Sequence, residues 1–397
     1  MLLLNLFIFA LTTWLGLYLL TRNAASPRLR FAGVGLLSYA PGLAIELLRR
    51  QGSDATIVAL WPHTYFLLLI IPWLGTVVYL LPARLPLRSR FSHLHYRLLL
   101  LTATLFFGLG LGLLFWHVVW LPRIWLLLAL GLDLVVLGVA TAVIDALEEG
   151  EALWPDLVRS FDYSFFTTLL FGGLVGLTIY FSTGVTQPML LLLLATVVAA
   201  IGLQIFANPI QEAVDRIALV HLPQLRQARS NLRTAANALP RLDNELDLSQ
   251  LDETEFTRLT RRALSQMGNL PRLVANPLIR LPIIRLRLAE RGQPDDTLVR
   301  AAELKALLTE AIERLKPEAE ADFGTTDAWR HYNALYFPYV VGLRPYSRRA
   351  SHNHLDPAAR QALVWLRQEV PERTLYNWQS GAAQLVAQDL RQRISNQ

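Results

Sequence analysis

Seven long apolar runs occupy the first half of the chain, at about residues 2–20, 31–48, 56–81, 98–119, 124–147, 164–181 and 189–206. Each approaches the roughly 20 apolar residues an α-helix needs to cross a hydrocarbon core, and short connections marked by Pro or Arg separate them. The pattern predicts a seven-helix transmembrane bundle over residues 1–207. The first run is read as a retained helix rather than a signal peptide, because Arg22, Arg28 and Arg30 follow it instead of preceding it. Asn208-Pro209 ends the last run. Beyond Glu212 the apolar residues return at helical spacing, with Val214, Ile217, Ala218, Leu222 and Leu225 on one stripe and Arg216, Arg226, Arg229 and Arg233 elsewhere. Residues 208–250 are thus predicted to be a transmission helix leaving the membrane, followed by an acidic linker.

Residues 251–397 carry a different pattern and are predicted to form a helical domain in water. Asp252 is placed to cap a helix running to about Met267, and Pro271, Pro277 and Pro282 forbid one long helix after it. Ile283, Ile284, Leu286 and Leu288, interleaved with Arg285 and Arg287, read as a short strand or a buried turn, with the membrane surface as another role for the arginines. Residues 297–315 predict an amphipathic helix, with Leu298, Ala301, Leu304, Leu308, Ala311, Ile312 and Leu315 opposite Glu303, Lys305, Glu310 and Arg314. Trp329, Tyr332, Leu335, Tyr336 and Tyr339 predict another, stopped at Gly342. The basic loop LRPYSRRASHNH follows. Asp356-Pro357 then opens a helix that Pro371 ends, and a last helix begins near Arg373. On that helix Leu375, Trp378, Ala382, Leu385, Val386 and Leu390 face inward, which leaves Arg373, Thr374, Tyr376, Asn377, Gln379 and Ser380 outward. Two helices joined by a tight turn, with long polar side chains opening the second, match the layout that places base-reading groups in a major groove. The fold class expected is all-α: a seven-helix membrane bundle, then a cytoplasmic helical domain with a helix-turn-helix-like segment at 329–394.

Charge adds orientation. With the N-terminus outside, the inner connections hold Arg22, Arg28, Arg30, Arg84, Arg88, Arg90, Arg97 and Arg159, against Arg49, Arg50 and Arg123 outside. This predicts a multi-pass inner (cell) membrane protein with its C-terminal domain in the cytoplasm. The net charge of +6 suits nucleic acid, anionic lipid or this positive-inside bias alike, so it selects no partner.

Candidate chemistry is sparse. Asp133 lies near the middle of the fifth run, where an isolated carboxylate costs about 2.5–3.5 kcal/mol to insert. It is either a membrane-sensing residue or a hydrogen-bonded carboxyl packing helices; both place it inside the bundle with a partner. Glu46, His63 and His117 lie nearer helix ends, within reach of water. Gly108, Gly110, Gly112, Gly172, Gly173 and Gly176 are expected to let helices approach closely. His352 and His354 lack further ligands, so no metal, cofactor or catalytic residue is expected. The absence of cysteine removes disulfides, thiolate metal sites and cysteine nucleophiles. No phosphate loop, kinase ATP lid or zinc-protease motif occurs, and the protein is not expected to be an enzyme.

The exit segment FANPIQEAVDRI resembles the one closing the seven-helix sensory region of bacterial histidine kinases and related membrane receptors. AIERLKP, YNALYFPYVVGL and VPERTLYNWQSGAAQLVAQDL, over about residues 311–390, resemble a sigma-factor-type helix-turn-helix. The chain departs from it by the insertion at 344–355 and by Gln368-Glu369-Val370-Pro371, where a short turn is usual. Together these resemblances imply a membrane sensor whose cytoplasmic output needs no phosphotransfer. Arg373, Thr374 and Asn377 would then meet DNA, with Arg348 and Arg349 on phosphates. The alternative is a receptor-like scaffold that passes the signal to a separate kinase or regulatory protein. Membrane lipids, DNA or a cytoplasmic regulator, and a second copy in a homodimer are the expected partners. A small transporter is disfavoured, because the seven runs show no internal repeat and one deep ionisable residue.

Overall fold

In the bilayer a backbone must satisfy its own hydrogen bonds, and long runs of Leu, Val, Ile and Phe do so as helices. The computed structural model describes residues 2–23, 26–49, 69–79, 93–115, 122–149, 151–239, 251–317, 323–346 and 355–395. Among the described residues the regular elements are all helical. The apolar half contains α1 (Leu2–Arg22), α2 (Pro27–Arg49), α3 (Leu69–Tyr79), α4 (His93–Phe115), α5 (Arg123–Glu149), α6 (Trp154–Thr178) and α7 (Gln187–Ile205). Among the described residues five stretches are long and apolar enough to cross a membrane: Leu2–Arg22, Pro27–Leu48, Ile124–Ala146, Trp154–Thr183 and Gln187–Ile205. Leu69–Tyr79 and Thr102–Leu113 are shorter apolar helices. The protein is a membrane protein. His63, His117 and most of the third run lie outside the described residues.

The chain divides into two units, 1–148 with 153–220 and 149–152 with 221–397. In the first, α1 packs against α2 and α7, and α6 packs against α7. Gly16 and Gly33 set the α1–α2 crossing: a Cβ at Gly33 would stand 2.9 Å from the Gly16 carbonyl oxygen. The six glycines expected to do this behave otherwise. Added Cβ atoms at Gly108, Gly112, Gly173 and Gly176 would meet nothing within 4 Å, and those at Gly110 and Gly172 only ordinary contacts at 3.6 Å. Gly172 is buried against α7 side chains, and none of the six has a neighbouring helix backbone within 4 Å of an added Cβ.

The exit segment is two helices rather than one. α8 (Ala207–Ala218) follows α7 after the single residue Phe206, and α9 (Pro223–Ala238) follows a break at 219–222. Pro223 explains the break, since it has no N–H to donate and its ring clashes with the preceding turn. Val214, Ile217, Leu222 and Leu225 of the expected stripe are exposed.

In the second unit, the Asp252 carboxylate caps α10 (Glu253–Gln266) by accepting from the Glu255 N–H at 2.6 Å. Then come the single turn α11 (Leu270–Leu273), a 3-10 turn (Pro277–Arg280), α12 (Pro282–Glu290) and α13 (Thr297–Glu313). α14 (Arg330–Leu335) runs into a π turn (Tyr336–Val341), stopped by Gly342 at φ 86°, a left-handed conformation that suits glycine. α15 (Pro357–Gln368) and α16 (Glu372–Ser395) complete it. The core joins Leu304, Leu308 and Ile312 of α13 to Ala383, Val386 and Leu390 of α16, with Phe256 and Leu259 of α10.

Residues 283–288 are neither strand nor turn. They form α12, which Pro282 opens and which buries Ile283, Ile284 and Leu288. Glu303, expected on a wet face, is 4% exposed because Arg287 of α12 and Arg291, just past its end, close over it at 3.1 and 2.7 Å. Arg287 also bonds both oxygens of Glu310, at 2.9 and 2.7 Å. It is a structural ion-pair residue, its guanidinium held in the charged state first by the Glu310 hydrogen bond.

Candidate functional site

Two places carry polar chemistry that packing alone does not require. The first is a buried cluster in the membrane unit, where the last turn of α1 meets the first turn of α6. Arg22 donates to the Asp156 carboxylate at 3.1 Å, with side chains 1% and 6% exposed. The Tyr18 hydroxyl stands between them, accepting from Arg22 at 2.8 Å and donating to Asp156 at 3.0 Å. Arg159, one turn further along α6, approaches the other carboxylate oxygen at 3.6 Å. A cation at a helix C-terminus and an anion at an N-terminus each also meet the favourable end of their own helix dipole. Nearby in sequence, Ser26 donates to Asp145 at 2.8 Å, and Trp14 donates to Ser160 at 3.2 Å.

The arginine pattern puts Arg22 in a connection between apolar runs, and the sequence gives no sign of its pairing with Asp156 in the connection between the fifth and sixth runs. Their separation of 134 residues leaves no local signal. The available clue was that both lie in connections predicted on the same side of the membrane. Glu46 is likewise buried rather than wet.

Asp133 is half-buried on α5, between exposed Leu132 and Val136. Its Oδ2 is enclosed without a hydrogen-bond partner among the described residues. The partner expected from its depth is therefore not among them.

The second place is the α15–α16 junction. Asp356 caps α15 by accepting from the Ala359 N–H at 2.6 Å, with Pro357 in the first turn. Three residues, Glu369, Val370 and Pro371, separate it from α16. The Tyr346 hydroxyl fastens this corner by donating toward the Val370 and Leu366 carbonyls at 2.6 and 3.2 Å. Burial raises the Tyr346 phenol above its ordinary pKa. The Trp365 and Trp378 rings stack across the two helices at 6.0 Å.

Of the residues expected to read DNA, Arg373 and Asn377 are exposed on the first turns of α16 and Thr374 is half-buried; Arg348 and Arg349 lie outside the described residues. Gln379, expected outward, is buried and donates to the Ala334 carbonyl at 3.2 Å, locking α16 to α14. Tyr376 points outward and donates to Glu372 at 3.1 Å, a bond that raises its pKa. Among the described residues no group of three His, Asp or Glu side chains is arranged to hold a metal.

These features define an all-helical membrane protein that carries a second helical unit after its apolar one. Compared with known proteins, the chain matches no family model, no curated protein and no solved structure.

Proposed function

We propose that the protein is a membrane-embedded sensor that couples a signal in its apolar unit to a helix-turn-helix-like regulatory output in the cytoplasm, without phosphotransfer. The observation that carries the reading is the α15–turn–α16 corner. The later half of α16 lies in the core while its first turns hold Arg373, Tyr376 and Asn377 in solvent. A rigid helix with an exposed polar start is the geometry of groove reading. Residues 251–397 hold 21 Arg and Lys against 17 Asp and Glu, an excess that favours a polyanion.

Topology supports the same reading. The Arg22–Asp156 pair supports a layout in which the end of α1 and the start of α6 share one side of the membrane. An even number of crossings then separates them, and α7 returns the chain to that side, opposite the N-terminus. With α3 and α4 both crossing, the total is the seven spans expected from the apolar runs, and the arginine bias makes the tail side cytoplasmic. The Arg22–Tyr18–Asp156 cluster, beside the exit of the first helix, is a buried polar element whose strength a signal can change.

One observation favours a second reading, in which the unit binds a separate kinase or regulatory protein. Glu369 and Glu372 are exposed beside Arg373 and would repel a phosphate backbone. Titration of labelled duplex DNA with fragment 221–397 at several salt concentrations separates the two. Binding that weakens steeply with salt supports the DNA reading; a folded fragment that binds no DNA at low salt overturns it in favour of the protein partner.

A further inference from the structure

Within the membrane unit, α1, α6 and α7 enclose an apolar groove of 580 Å³. Gly172, Gly173 and Gly176 of α6 form its floor, with Phe7 and Ala10 of α1 and Leu193 of α7 among its walls. A smaller cavity of 40 Å³ adjoins it and shares Phe7, Ala10 and Thr168. Ser164, 3% exposed, lines that cavity. Its Oγ and the Thr168 Oγ1, one turn along the same helix, have no hydrogen-bond partner among the described residues.

That is unusual within this unit. Thr12, Thr13, Thr76, Thr141, Thr167 and Thr178 all donate to carbonyls four residues back. A hydroxyl left unmet in hydrocarbon is costly, so two neighbouring ones beside a groove point to a ligand that meets them.

We propose that the groove binds a neutral single-chain lipid, whose one hydroxyl or carbonyl hydrogen-bonds Ser164 and Thr168 while its hydrocarbon lies along the glycine floor. Among the described residues no charged side chain lines groove or cavity, so none of them would hold a carboxylate or a phosphate headgroup there. The volume falls within the range of about 300–1,000 Å³ typical of sites for one small ligand. The rival occupant is a helix of a second copy packed on the Gly172–Gly176 spacing. Gly172 argues against it: it is buried, and a Cβ there would meet Val197 of the same chain at 3.6 Å, so one end of that spacing is already covered by its own bundle.

The test uses the full chain in lipid nanodiscs and a photoreactive long-chain alcohol as probe. Binding is read directly, so it stands or fails apart from the sensor reading. Labelling should saturate, should map to α6 or α1, and should be competed by hexadecanol but not by hexadecanoate at pH 8. Gly173→Leu and Gly176→Leu fill the groove where a Cβ meets nothing within 4 Å, so the fold should be kept and labelling lost. Ser164→Ala with Thr168→Val leaves the groove open and should weaken probe affinity about three- to tenfold, the worth of a net hydrogen bond. Labelling that never saturates, equal competition by hexadecanoate, or indifference to both sets of variants overturns the proposal. So does a change in oligomeric state on filling the glycines, which would assign the face to a second copy.

Discussion

The Arg22 guanidinium and the Asp156 carboxylate, 134 residues apart in sequence, meet at 3.1 Å with almost no solvent on either. Such a pair gains little over apolar residues of the same shape, but losing one partner strands a buried charge. Arg22→Met or Asp156→Leu alone should each cost about 3–5 kcal/mol, while the double change should recover most of the loss. Thermal unfolding in detergent measures both. A loss in the double variant equal to the sum of the two single losses would mean the two groups act independently.

The Tyr346 hydroxyl holds the corner between α15 and α16, and Tyr346→Phe should cost about 0.5–1.5 kcal/mol in chemical denaturation. Its pKa is raised by burial. Its contribution is therefore complete below the unfolded value, about pH 10, and is lost as pH rises through the higher folded value. The parent should lose stability on the alkaline side, and the Phe variant less so, because Tyr339 and Tyr376, also raised, remain. Identical alkaline limbs in parent and variant would assign the effect to those two tyrosines.

If the first turns of α16 enter a major groove, Arg373→Ala and Asn377→Ala should each remove about 1–3 kcal/mol of discrimination between preferred and altered sites. Arg348→Ala should instead weaken binding to every sequence and lower the salt slope by about one. Competition titrations with a selected site and its single-base variants decide this. An unchanged preference after both α16 changes would sink direct readout.

Asp133 costs insertion energy without a partner among the described residues. Asp133→Leu should stabilise the unit by up to about 2–3 kcal/mol, and Asp133→Arg should impair assembly. Asp133→Asn should keep the fold and alter output in a reporter strain. Parent-like output from both the Asn and the Leu variants would leave the residue without a sensing role.

Reporter fusions check the topology. A fusion after Met1 should read as outside and one after Gln397 as cytoplasmic. Both ends on one side would require an even number of spans and would remove the intracellular output.

Features that depend on near neighbours or on mean solubility are legible in the chain before it folds. Apolar runs mark membrane helices because lipid selects on length and composition without regard to partners, and among the described residues five of them reach spanning length as helices. Caps at Asp252 and Asp356 and the stop at Gly342 were legible because each acts within one turn of its own helix. Tertiary structure alone decided the rest. Residues 283–288 became a helix because Pro282 opened one whose buried side packs on α13, whereas so short an apolar run has no period that separates helix from strand. Glu303 and Gln379 sit on faces that look polar in periodicity, yet arginines in and just past α12 and a carbonyl from α14 enclose them. Arg22 with Asp156, and the glycine groove beside Ser164 and Thr168, exist only once distant helices pack, because burial and pairing belong to the packed neighbours and leave no trace in local spacing.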